Sequence, residues 1–136
     1  MTLPRNNQIQ AAIIARLKAN ATVTAEVIAD EIREDQWQGT EFVYPNIRVK
    51  MISNKPEPAS NCPQALVTLS VQVFSEDASS LEADDIAGII NGVLHATPFS
   101  SSGLLLSLRT TNLVPAIRSD TRTWKSEVLM AGTVSG

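Results

Sequence analysis

The run from Pro63 to Thr97 constrains the fold most strongly, because a strand pattern in it passes directly into a helix pattern. From Pro63 to Ser75 apolar and polar residues alternate, and a period of two is typical of a strand with one buried face. The residues expected to face the core are Ala65, Val67, Leu69, Val71 and Val73, and those expected on the other face are Thr68, Ser70 and Gln72. The sequence therefore predicts a half-buried strand followed by a helix.

The predicted helix has an apolar stripe and an acidic start. Its apolar residues recur at helical spacing, which indicates one buried face. They are Ala83, Ile86, Ala87, Ile90, Val93 and Leu94. Ser79 and Glu82 have the spacing of a capping box. The acidic residues at this end complement the helix dipole; they are Glu76, Asp77, Asp84 and Asp85.

The opposite side of this helix carries two glycines, Gly88 and Gly92, together with Asn91 and His95. Each glycine in a helix interior costs about 1 kcal/mol relative to alanine. Two interpretations stay open: another backbone or subunit packs closely on this side, or a strong helix tolerates two weak positions. We take these four residues as candidates for a subunit interface.

The rest of the chain supplies further helices and strands. The spacing of apolar residues predicts a helix from Asn6 to Ala19, a helical turn from Ala25 to Asp30, and strands at 41–52, 104–114 and 123–134, the first able to pair from Pro45 onward. Aromatic residues make up 4% of the 136 residues, so the core is expected to be aliphatic. The prediction is one α+β domain spanning residues 1–136, with a single antiparallel sheet of about four strands and helices packed on one face.

A proline-rich segment from Ser53 to Pro63 separates the first two predicted strands. Most hairpin loops have two to five residues, so we expect a protruding loop here that is either functional or disordered. Its charged residues Lys55 and Glu57 are candidates for subunit contact. The C-terminal third is locally basic, and Arg118 and Arg122 are candidates for the same role, through salt bridges between subunits.

The residue chemistry argues against several classes of function. A net charge of −3 and a pI near 5.1 are not those of a protein that grips nucleic acid. No export signal and no apolar run long enough to span a membrane are apparent in the sequence. The single cysteine, Cys62, is expected to be a free thiol. No catalytic, cofactor-binding or metal-binding residues are predicted, because one His and one Cys cannot build the usual motifs.

Two weaker signals have simpler interpretations. His95 could act as a base, but a surface histidine near a helix C-terminus, interacting with the dipole, explains it better. The acids Glu82, Asp84 and Asp85 lack the ligand spacing of a calcium loop, and a solvated helix start explains them. A small α+β enzyme or ligand-binding domain is therefore the weaker alternative.

The order of these segments resembles the small tail-completion proteins of tailed bacteriophages, which include tail terminators and tail-to-head joining proteins. One part of the resemblance is the segment that leads into the first strand, with Tyr44, Pro45 and Ile47. The other part is the run in which Val71, Val73 and Phe74 lead through Ser75 to a helix. That helix ends at Leu94 and His95. The resemblance extends from Ile9 to about Val114.

This resemblance implies a non-enzymatic virion protein, assembled in the host cytoplasm, that forms a ring at the head-proximal end of the tail tube, commonly a hexamer. The ring would stop tube growth and join the tail to the head connector. Its implied partners are its own copies, the tail tube protein and a head-completion or connector protein, while DNA passes through without specific binding. No membrane is involved, and a head-closure protein of the neck is the nearest alternative.

Overall fold

The computed structural model describes residues 4–35, 43–56, 64–77, 79–95, 98–118 and 123–135. The helices are α1 (Asn6–Lys18), α2 (Ala21–Glu26), a 3-10 helix (Ala29–Glu31) and α3 (Leu81–Leu94). The strands are β1 (Ile32–Glu34), β2 (Asn46–Pro56), β3 (Gln64–Ser75), β4 (Phe99–Ser101), β5 (Leu104–Arg118) and β6 (Trp124–Ser135).

The strands form one sheet in the order β1-β2-β3-β6-β5-β4. Strand β1 is parallel to β2, and the other neighbours are antiparallel. The prediction of a single antiparallel sheet of about four strands is therefore wrong: within the described residues the sheet is mixed, has six strands and is curled into a half-barrel. The two missed strands have three residues each, which is too short for an alternating pattern.

Strand β4 was missed because its segment reads as a turn. Ser101 pairs with Leu104, so Ser102 and Gly103 form a two-residue hairpin loop. Both residues have positive φ, 51° and 80°, which matches the right-handed twist of the flanking strands. The cluster of serines and glycine thus contains both the turn and the end of an edge strand.

Helices α1 and α3 pack on one face of the sheet, which we call the closed face. The alternation predicted for β3 is confirmed, since Ala65, Val67, Leu69, Val71 and Val73 are all buried there. The predicted stripe of α3 packs against them, with Val93 only partly buried. The core is aliphatic, as the composition indicated.

Two predictions about the helices need correction. Helix α2 begins at Ala21, where the Asn20 side chain accepts hydrogen bonds from the first turn, so the helical turn predicted from Ala25 to Asp30 begins too late. The capping box of α3 does not form, because Glu82 accepts a hydrogen bond from Ser75 at the end of β3. The buried hydroxyl of Ser75 therefore binds the carboxylate that the capping box would have used.

Strand β2 extends further than the alternation indicated. Residues Ser53–Pro56 belong to β2 and pair with Ala65–Thr68 across a bulge at Ile52. The rest of the predicted loop, including Glu57, lies outside the described residues.

Candidate assembly surfaces

The C-terminal half of α3 is attached to β5 through two of the candidate residues. His95 Nδ1 accepts a hydrogen bond from the backbone N–H of Thr110 at 2.9 Å, and the Thr110 hydroxyl donates to Asn91 Oδ1. Thr110 lies at a bulge where the register of β5 against β6 shifts. His95 thus accepts from a backbone group of β5 next to the bulge, and Asn91 accepts from a side-chain hydroxyl of the same residue.

The N-terminal turn of α3 is attached to a second bulge of β5. Asp84 Oδ1 accepts a hydrogen bond from the backbone N–H of Ala116 at 2.8 Å, and the register of β5 shifts between Val114 and Ile117. The Ser126 hydroxyl lies 3.0 Å from the carbonyl oxygen of Val114, to which it donates. The acidic start of α3 was interpreted as a solvated helix end, but Asp84 has this specific structural partner.

The two glycines remain exposed on the solvent side of α3. A Cβ added at Gly88 or Gly92 would meet no atom within 4 Å, so nothing in the described part of the chain requires glycine there. They share one helical stripe with Leu81 and Asp85, and the stripe faces solvent. We call Leu81, Asp85, Gly88 and Gly92 the outer stripe of α3.

A small hollow lies beside Gly88. It has a volume of about 260 Å³ and lies between α3 and the second half of β5, with Leu113 and Pro115 in its wall. Leu113 is 45% exposed. The side of α3 that carries the glycines therefore borders an apolar recess in the isolated chain.

The sheet face turned away from α1 and α3, which we call the open face, holds another candidate, Lys55. Lys55 and Arg109 line the same hollow of about 580 Å³, with Leu66 and Thr68 between them. These residues come from three different strands, β2, β3 and β5. Sequence reasoning identified Lys55 alone, because the neighbours across the sheet follow from the strand order and not from chain position.

The open face is markedly cationic for an acidic chain. The cations of the four long strands are Arg48, Lys50, Lys55, Arg109, Arg118 and Lys125, and their one acid is Glu127. All of these except Arg118 lie in open-face register positions. By contrast, the described residues between 76 and 94, which include α3, contain several acids and no Lys or Arg. Charge is thus segregated between the sheet and α3.

Arg48 is held differently from the other cations of the open face. It forms a salt bridge to Glu31 at 3.1 Å, and both side chains are only 6% exposed. Its guanidinium also donates to the backbone carbonyl of Glu31 at 2.6 Å. Arg48 therefore fixes the 3-10 helix against β2 and does not serve as an exposed cation.

The last two candidates lie at the end of β5 and beyond it. The Arg118 guanidinium lies over the Trp124 ring, 4.7 Å from its centroid, which fixes it at the start of β6. Arg122 lies outside the described residues, as does Glu57. The candidates thus fall into separate groups, with Gly88, Asn91, Gly92 and His95 on α3, Lys55 on the open face, and Arg118 beside Trp124.

Two other kinds of site are absent from the described residues. No group of three or more His, Cys, Asp and Glu side chains there is arranged to hold a metal ion. No helix in the same part of the chain is long and apolar enough to cross a membrane.

The fold of this chain has a counterpart among solved structures. The fold is similar to that of a chain in the solved virion of a native gene transfer agent particle, with a TM-score of 0.76, 17% identity, and 94% of this chain and 95% of that chain covered. No curated protein sequence matches. At 17% identity, this similarity shows a shared fold.

The family follows from the sequence itself. A family model described as tail completion protein gp17 matches residues 11–130, which is most of the chain. The protein belongs to this family, and the resemblance stated from the sequence is confirmed. It is a structural protein of the phage tail and is located in the virion.

Proposed function

We propose that this protein is a non-enzymatic tail terminator that forms a ring, a hexamer, on the head-proximal end of the tail tube. The ring stops addition of tube subunits and offers its free side to the head connector. The observation that carries the proposal is the family match over residues 11–130. The similarity of fold to a chain in a gene transfer agent virion supports it.

The surfaces of the domain are consistent with this role. A closed ring needs two unlike surfaces on each subunit, since a heterologous contact repeated around an axis closes on itself. The cationic open face and the acidic start of α3 are two such surfaces. The proposed passage of DNA without specific binding agrees with the net charge of −3, because tight phosphate contact relies on a basic excess.

The test is whether this protein binds to the ends of tail tubes. The tail tube protein is polymerised with and without this protein, and the products are imaged by negative-stain electron microscopy. We expect extra density at one end of each tube and shorter tubes as the protein concentration rises. A matched reaction with heat-unfolded protein serves as the control.

Two results would contradict the proposal. Unchanged tube length with no density at the ends would exclude a terminator. Binding to the purified head connector without binding to tubes would assign the protein to head closure instead.

A further inference from the structure

We propose that the outer stripe of α3 in one copy docks onto the open face of the sheet in a second copy. This inference rests on the proposed ring and names the contact between its neighbouring subunits. The partner surface is chosen by charge: acids around the start of α3 meet cations on the open face.

The cationic side of the contact has exposed charges that form no ion pair within the described part of the chain. Lys50, Lys55 and Arg109 are exposed, and none of them forms an ion pair with a described residue. Lys55 and Arg109 border the hollow of about 580 Å³ on the open face. Leu66, 38% exposed, lies in the same hollow and offers apolar surface between the two cations.

The acidic side of the contact also has exposed charges that form no ion pair with a described residue. Glu76, Asp77 and Asp85 are exposed and form no ion pair with a described residue. Two other acids at this end, Glu82 and Asp84, already accept hydrogen bonds within the domain. The exposed acids are therefore available to a partner, while their neighbours fix the position of the helix.

The shape of the outer stripe suits insertion into a hollow. Gly88 and Gly92 bring the helix backbone to the surface, so a facing sheet can approach more closely than side chains would allow. Leu81 on the same stripe is 74% exposed, and its burial against Leu66 of a second copy would add apolar contact to the charge pairing. This contact gives the two glycines a function that the isolated domain does not require.

The two surfaces cannot meet within one copy. Helix α3 packs on the closed face, so its outer stripe and the open face lie on opposite sides of the sheet. A contact between opposite sides of identical copies is heterologous and continues from copy to copy until it closes. The same surfaces therefore account for a ring and not for a two-fold dimer.

The test is a charge swap. Variant A carries Lys55→Glu and Arg109→Glu, variant B carries Glu76→Lys and Asp85→Lys, and variant AB carries all four changes. We expect A alone and B alone to have a subunit dissociation constant at least about tenfold higher than the wild type, because like charges then face each other. We expect AB, and an equimolar mixture of A and B, to recover assembly, since opposite charges are restored. Native mass spectrometry and sedimentation velocity measure the assembly state.

Two further variants serve as controls. Arg5→Glu with Lys18→Glu makes the same change of charge at the two ends of α1 and should assemble like the wild type. Lys55→Gln with Arg109→Gln removes the cations with little risk to folding and should weaken assembly less than variant A.

Several outcomes would overturn the inference. One is assembly of A and B at wild-type strength, and another is loss of assembly in A and B that neither AB nor the mixture recovers. Loss of binding to a DNA duplex in A, with subunit assembly unchanged, would instead assign the open face to nucleic acid. A wild type that stays monomeric at every concentration would also refute the contact, whereas the proposed function would still be decided by capture at tube ends.

Discussion

The carboxylate of Asp84, in the first turn of α3, accepts the backbone N–H of Ala116 at 2.8 Å. Ala116 lies in the irregular part of β5 between Val114 and Ile117, where the ladder to β6 shifts register. At the other end of α3, His95 accepts the backbone N–H of Thr110 beside the first bulge of the same strand. Helix α3 therefore holds both irregular parts of β5, the long strand whose outer edge β4 covers only in part.

Replacing Asp84 with alanine should destabilise the monomer by about 1 kcal/mol, because the Ala116 N–H loses a charged acceptor and is left to water. Urea unfolding followed by circular dichroism measures the change. Asp85→Ala is the matched control, since Asp85 is the next residue on the same turn and its side chain forms no hydrogen bond with a described residue. Equal effects of the two changes would show that the bond to Ala116 contributes nothing.

The buried pair of Glu31 and Arg48 gives a larger expected effect. Glu31→Ala leaves a guanidinium that is 6% exposed without its carboxylate, and this costs about 3 kcal/mol. The double change Glu31→Leu with Arg48→Met should cost less, because no buried charge remains. The partly exposed pair of Lys125 and Glu127 is the comparison, and Lys125→Ala should change the free energy of unfolding by less than about 1 kcal/mol. A double variant less stable than Glu31→Ala would refute this explanation.

Much of the fold could be predicted from periodicity, and the rest depends on pairing between distant segments. The alternation in β3 and the stripe on α3 each lie in one continuous run, so local spacing was enough to identify them. The strand order was not predictable in this way, because β3 pairs with β6 along its whole length although α3, β4 and β5 lie between them in sequence. The short parallel strand β1 is defined by its neighbour β2 and has no pattern of its own.

The candidate surfaces show the same division. The exposed glycines of α3 could be found because a helical stripe can be counted along the chain. The cationic open face could not be found from the sequence, since Lys55 and Arg109 are far apart along the chain. They border the same hollow only because β2, β3, β6 and β5 pair in that order. The hydrogen bonds of Asn91 and His95 to Thr110 were also missed, because they depend on a bulge that has no clear sequence signal.

The bonds between α3 and the first bulge of β5 predict a local effect. Thr110→Val removes the hydroxyl that donates to Asn91 and should cost about 1 kcal/mol. His95→Ala removes the acceptor of the Thr110 N–H, so that amide should exchange with solvent faster, as measured by NMR hydrogen exchange. If the amide of Thr110 exchanges at the wild-type rate in His95→Ala, the bond does not protect the bulge. Combined with Asn91→Ala, Thr110→Val should cost less than the sum of the two single changes.

Replacing Gly88 and replacing Gly132 with alanine should change the stability of the monomer in opposite directions. Gly88→Ala should raise the stability of the monomer by about 0.5 to 1 kcal/mol, because the helix gains propensity and the new Cβ meets nothing within 4 Å. Gly132→Ala should lower it by about 1 to 3 kcal/mol, since a Cβ there would collide with the Ser107 carbonyl and lie 2.9 Å from the Leu108 Cα. Thermal unfolding of both variants measures the difference. A destabilising Gly88→Ala would show that the helix needs glycine for its own fold.

Replacing Gly88 with leucine tests the assembly of subunits independently of the folding of the monomer. The side chain has open space in the isolated chain, so Gly88→Leu should leave the monomer folded, with a circular dichroism spectrum close to that of the wild type and an unfolding midpoint equal to or above it. In the proposed contact the same side chain would hold α3 away from the sheet of the neighbouring copy, and ring formation measured by native mass spectrometry should fall at least about tenfold. Ala15→Leu is the matched control, because it adds a side chain of the same size at an exposed position of α1 and should assemble normally. Undiminished assembly of Gly88→Leu would mean that the glycines are merely tolerated in the helix and that this side of α3 meets no partner.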